Sequence, residues 1–194
     1  MREQDLERLK KEIDGVGGDA LGFLLSVKPW LKETYNVAVN VSSSLREIPH
    51  ALVSPLSLPL YGVPQAWGKL TFSVKDLETA VRRLRERGFV GAIPRLIDAS
   101  SNMVVELVER VGDLEWDDRL EDRLMSRHGI RLLSVEDFVA YVLSTWGRPL
   151  GDEVAAKVLY ASRRDVDGDY LVWRAGMAGL GDKARSILEM VSRL

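Results

Sequence analysis

The sequence contains no cysteine. That excludes disulfides, thiolate metal sites and a cysteine nucleophile. It has two histidines, His50 and His128, far apart along the chain, which argues against a zinc site. Amides are scarce: Asn36, Asn40, Asn102, Gln4 and Gln65. With cysteine absent as well, this paucity of labile side chains leads us to expect a thermophilic source. Neither sign of charge dominates. The formal net charge is -2, so no bulk attraction draws the chain to nucleic acid or an anionic membrane. No apolar run approaches the ~18 residues of a membrane span. No serine sits in a Gly-x-Ser-x-Gly context, which leaves a hydrolase triad without support. The glycine-rich "DGVGGDA" at 14–20 lacks the lysine and the preceding strand of a phosphate loop and reads as a helix linker.

What is present suits a folded protein. Of the 194 residues, 46% are hydrophobic and 29% charged, enough for a substantial core and its cover. The opening "MREQDLERLKKEIDG" is charged and has no signal-peptide core. The expectation is a soluble cytoplasmic protein without a membrane partner.

Leu6, Leu9 and Ile13 at helical spacing predict a helix over 3–13. A second helix is expected from Asp19 toward Tyr35, bent at Pro29. "NVAVNVSSS" alternates Val37, Val39 and Val41 and reads as a strand. "SLREIPHALVS" gives a turn of helix and then the apolar run Ala51-Leu52-Val53. Lys69 to Val74 alternates as a strand, with Leu70, Phe72 and Val74 opposite Lys69, Thr71 and Ser73. Asp76 caps a helix over 76–88 that Gly88 stops. The runs flanking Ser100-Ser101-Asn102 read as a β-hairpin. "DLEWDDRLEDRLMSRHG" reads as an acidic helix ending at Gly129, with His128 at its C-terminus. "IRLLS" is a short strand, and Ser134 with Asp137 forms a capping box for the next helix. Helices follow from Asp152 to about Ser162, Asp169 to about Ala175 and Asp182 to Leu194. The expected fold is α/β (α+β): a small mixed β-sheet flanked by helices over 1–133, with a helical C-terminal portion over 134–194 packed on it.

Two carboxylates two residues apart on a strand are a recurring device for holding a divalent metal on substrate phosphates. Lys69 and Thr71 have that spacing without that chemistry. A protonated lysine cannot ligate a metal, and a threonine hydroxyl is a weak ligand. Both donate well to phosphate oxygens. The sharper readings are therefore a phosphate- or nucleic-acid-contacting pair, against the plain one of a solvated strand face. Glu106, inside the apolar "VVELV", is either a solvent-facing residue or a metal ligand. Asp98 across the hairpin is the candidate second carboxylate, if the register puts both on one face. Arg82, Arg83, Arg85 and Arg87 make a solvated helix face or an RNA- or partner-binding one. The acidic run from Asp113 to Asp122 is a solvated helix face or a dock for a basic partner.

The stretch "HALVSPLSLPLYGVPQAWGKLTFSVKDLETAVRRLRERGF" resembles the minimal nucleotidyltransferases of abortive-infection and toxin–antitoxin types. In that family a Gly-Gly or Gly-Ser strand end precedes a tyrosine-glycine turn, a strand with Asp-x-Asp, a helix ending in Gly-Phe, and a later strand with a third acid. Here Ser54-Pro55 stand at the glycine pair and Tyr61-Gly62-Val63-Pro64 keep the turn. Gln65 replaces the usual arginine and Trp67 a threonine. Lys69 and Thr71 replace the metal-binding aspartates, Gly88-Phe89 keep the helix end, and Glu106 falls at the third acid. "IRLLSVEDFVAYVLSTWGRPLGDEVAAKVL" is similar to the family's later segment. There the family usually has a lysine near Val142, and Asp152 matches one of its following acids. The resemblance spans about residues 46–160.

It implies a cleft in which Ser54, Lys69, Thr71 and Trp67 would meet a nucleotide or phosphate, Trp67 filling part of the pocket. The leading expectation is a divergent, catalytically inactive relative, a pseudoenzyme that binds a protein partner or RNA and needs no cofactor. The alternative is an atypical enzyme that transfers NMP from an NTP, with Mg²⁺ held by Glu106 and Asp98 or Asp76 and Lys69 on a phosphate. A third reading is an α/β interaction module unrelated to transferases. Homo-oligomerisation stays open in all three.

Overall fold

The computed structural model describes residues 3–194. Helix α1 (Glu3–Asp14) buries Leu9 and Ile13 and ends in the glycine turn at Gly17-Gly18. Two separate helices follow, where one bent helix is expected. Helix α2 (Ala20–Val27) is capped by the Asp19 carboxylate, which accepts from Gly22 N at 2.8 Å. Helix α3 (Leu31–Ser44) begins after Lys28-Pro29-Trp30.

The strand expected at Val37, Val39 and Val41 does not exist; these residues lie within α3. Val37 and Val41 are four apart, so they share a helical face as readily as a strand face. Ala38 and Leu45 join them in the core while Val39 is half-exposed, which is the helical outcome.

Strand β1 (His50–Leu52) leads into a 3₁₀ helix (Pro55–Tyr61) and the Gly62 turn. Strand β2 (Leu70–Val74) returns antiparallel to β1, with Ala51 opposite Ser73. Helix α4 (Leu77–Arg85) starts as expected at Asp76, whose carboxylate accepts from Thr79 N at 2.9 Å. Strand β3 (Phe89–Ala92), not foreseen, pairs with β4 (Arg95–Asp98). Strands β4 and β5 (Val104–Val108) form the expected hairpin. Among the described residues these five strands make one mixed sheet, ordered β1-β2-β5-β4-β3, in which β2 and β5 run parallel.

The long acidic helix before Gly129 is also replaced. Helix α5 (Asp118–Asp122) lasts five residues and gives way to a hairpin of β6 (Met125–Arg127) and β7 (Ile130–Leu132). His128 (φ 51°) and Gly129 (φ 78°) both take positive φ, as a two-residue hairpin turn requires. His128 therefore marks a turn, not a helix C-terminus.

The C-terminal helices follow the sequence reading closely: α6 (Val135–Thr145), α7 (Leu150–Ala161), α8 (Gly168–Gly176) and α9 (Gly181–Val191). Ser134 Oγ caps α6 by accepting from Asp137 N at 3.1 Å. Every residue of α6 from Val135 to Leu143 is buried, so this helix is the axis of the helical part. Tyr61 ties it to the 3₁₀ helix after β1: its ring stacks on Phe138 at 4.3 Å and its hydroxyl donates to Leu133 O, just before α6, at 3.0 Å. One continuous apolar core runs from Leu9 to Val191, through both sides of the 133/134 boundary. Among the described residues no helix is long and apolar enough to cross a membrane.

A buried ionic cluster sits where α5, α6 and α8 meet. Arg174 is fully buried; its Nε donates to Asp137 Oδ1 at 2.7 Å and its Nη atoms to Asp117 at 2.6 and 2.9 Å. Tyr170 donates to the same Asp137 oxygen at 3.0 Å. Desolvation is offset here only because every charged atom has a close partner.

Candidate functional site: a cleft over strands β2 and β5

Parallel pairing of β2 and β5 sets Thr71 directly beside Glu106. Lys69, two residues before Thr71, emerges on the same face. Lys69 Nζ donates to Glu106 Oε1 at 2.6 Å, and Thr71 Oγ1 donates to Oε2 at 3.3 Å. Arg95, opposite Glu106 across the β4–β5 pair, brings Nε to 3.8 Å from Oε1. The Glu106 carboxyl is held below its usual range, first by the Lys69 hydrogen bond and then by the Lys69 charge, Thr71 and Arg95, against a smaller cost of burial. It is an ionised carboxylate with both oxygens occupied by donors.

Above this floor lies an open cavity of about 540 Å³. Ser54, at the start of the 3₁₀ helix, forms part of one wall. It is nearly buried, and its hydroxyl has no hydrogen-bond partner among the described residues. Trp67 lines the rim, 39% exposed, its ring edge-on to Trp146 at 6.2 Å. It shapes the mouth and leaves the cavity open. Tyr141, Thr145 and Trp146 of α6 and its end supply the opposite wall, with Arg110 beside them.

The sequence thus locates the floor of the cleft and misses one wall. Tyr141, Thr145 and Trp146 fall at helical spacing, but nothing in that pattern says which distant strand they will face. Asp98 does not join Glu106. Register pairs Glu106 with Arg95 and Val104 with Ile97, so Asp98, an odd number of residues from Arg95, is on the other face of the sheet. Its carboxylate accepts from Ser101 Oγ at 2.6 Å and from Ser100 Oγ at 2.9 Å, organising the hairpin loop. These hydrogen bonds, Ser101's first, keep it below its ordinary range. Asp76 is committed to capping α4. Asp152 pairs with Lys183 and Arg148, and Gln65 donates to Glu12 Oε1 at 2.7 Å. His50 is buried, its ring nitrogens 2.7 Å from Ile48 O and 3.2 Å from Ser42 Oγ.

Magnesium, which the resemblance implies for an active enzyme, does not fit this donor set. An ammonium already lies against one oxygen of Glu106 and repels a cation; a hydroxyl proton points at the other. Among the described residues no three His, Asp or Glu side chains gather as a metal site. Compared with protein-family models and with curated proteins, the chain matches none.

Proposed function

We propose that this chain is a divergent nucleotidyltransferase-like protein that has exchanged catalysis for binding. Its cleft would recognise a protein partner or RNA. One observation carries the reading: the two positions that resemble metal-holding aspartates meet the third, Glu106, on adjacent parallel strands, and a lysine there satisfies the remaining acid. This geometry would suit three converging carboxylates, and here the three positions carry a lysine, a threonine and one glutamate, a neutral set in place of three negative charges. The unsatisfied Ser54 hydroxyl and the open cavity support a ligand-binding role for the same cleft.

The alternative of an active enzyme using Glu106 with Asp98 or Asp76 finds no support in the geometry. One of those aspartates is on the far face of the sheet and the other is a helix cap. The test is direct. The protein is incubated with Mg²⁺ or Mn²⁺, each α-labelled NTP in turn, and protein and RNA acceptors. The expected result is no label transfer. Metal-dependent transfer that is lost in Glu106→Ala would overturn the reading.

A further inference from the structure

The cleft does not end at Glu106. On β3, β4 and β5 the same face of the sheet continues as an aliphatic row. Register sets Val90 beside Ile97 and Ile97 beside Val104, and their exposures are 54%, 37% and 39%. The parallel pairing then carries the row to Lys69, just before Leu70, which faces Val105 one residue on. The adjoining row, two residues along each strand, is Ala92, Arg95, Glu106 and Thr71. An apolar strip thus lies side by side with a polar one on a single face, exposed at Val90, Ile97, Val104 and Arg95 and walled by Tyr141, Thr145 and Trp146 at Thr71 and Glu106. The opposite face, carrying Leu96, Val105 and Phe89, is the one buried in the core.

The polar strip is unbalanced. Lys69 and Arg95 both reach Glu106, two cations sharing one carboxylate. Arg95 and Lys69 keep 66% and 47% of their side chains exposed. One further anion would complete the set. The aliphatic strip decides the class of that anion's bearer. The ring faces that could stack bases, Trp67 and Trp146, line the cavity at Lys69 and Glu106 and not the aliphatic row; along that row valine and isoleucine offer neither donors to phosphates nor a ring face for bases, the means by which nucleic acids are held. They do match the aliphatic side chains of a protein, whose burial is favourable wherever water is expelled.

We propose that this open face of the sheet docks a protein segment presenting aliphatic side chains next to an aspartate or glutamate. The aliphatic groups cover Val90, Ile97 and Val104, and the carboxylate joins Lys69 and Arg95. The inference rests on the binding role proposed above and narrows it to protein.

A random-sequence displayed peptide library, panned on the wild-type protein, tests it. Enriched peptides should combine aliphatic residues with Asp or Glu. Ile97→Asp and Arg95→Glu change exposed residues and should keep the wild-type melting temperature. Each should weaken the selected peptides at least roughly tenfold, about 1.4 kcal/mol. Replacing the peptide's acid by lysine should restore binding to Arg95→Glu. Four results would each overturn the proposal: no enrichment, enrichment without that composition, equal binding to the variants, or an oligouridine RNA displaced by Ile97→Asp. So would light scattering that finds a dimer which Ile97→Asp makes monomeric, since a second copy would then be the occupant. Label transfer from NTPs is scored separately. Transfer with peptide binding intact sinks the non-catalytic role, and failed peptide binding without transfer sinks the docking face alone.

Discussion

At the scale of single residues, the cleft is defined by what Lys69 does to Glu106. Their contact is half-exposed, so it contributes little to stability, on the order of 1 kcal/mol or less. Its importance is electrostatic: it removes the charge a cation would need. Supplying that charge should create a cation site. The double variant Lys69→Asp, Thr71→Asp would set two carboxylates beside Glu106. We expect it to be stabilised by Mn²⁺ or Mg²⁺, by roughly 3 kcal/mol at a hundredfold excess over Kd, where wild type shows no shift. Thermal melts with and without metal check this. Arg174 shows the opposite case, a charge whose contacts are structural. Arg174→Ala strands the buried Asp137 and should cost about 3–5 kcal/mol in urea denaturation. Arg174→Met with Asp137→Asn should recover part of that loss. The sequence makes Lys69, Thr71 and Glu106 readable because period-two alternation assigns faces within a strand. It hides the Arg174 cluster, whose partners lie 37 and 57 residues away.

At the scale of elements, turns decided more than propensity did. Pro29 divides what reads as one helix, and the next segment is helical although its valines alternate. The β6–β7 hairpin was obscured by acidic residues that look helical, while its signal was two residues, His128 and Gly129. Asp76 and Ser134, by contrast, announce their helices because a cap is a local interaction. Glycine substitutions separate these cases. Gly129→Ala forces a Cβ into positive φ, with Val39 Cγ1 at 3.4 Å, and should lose about 1–2 kcal/mol. Gly176→Ala, at the end of α8 with open space at the Cβ position, should gain about 0.5–1 kcal/mol. Chemical denaturation of both variants reads the difference.

At the scale of the whole molecule, the core spans sheet and helices, so local titrations act on global stability. Burial drives the His50 imidazole down to about 4 from its usual 6.5. Between those values the unfolded chain binds a proton that the folded chain refuses. Stability is therefore highest above about pH 6.5 and falls as the pH drops toward 4, by at most roughly 3 kcal/mol from this one group. Urea midpoints across that range, paired with an NMR titration of His50, check sign and midpoint. The mixed sheet and helical C-terminal portion were legible from patterning, because both depend on where apolar residues recur. The α6 wall of the cleft was not, because it arises from packing between segments far apart in the chain.

The sheet order also has a consequence for synthesis. Strand β2 lies between β1 and β5, and β5 begins about 30 residues after β2 ends. At ~5–20 residues per second, the growing chain leaves that side of β2 without its partner for a period on the order of seconds. During that interval the strand bearing Thr71 exposes unpaired backbone groups to neighbouring nascent chains. The floor of the cleft is therefore completed only when β5 has emerged and paired.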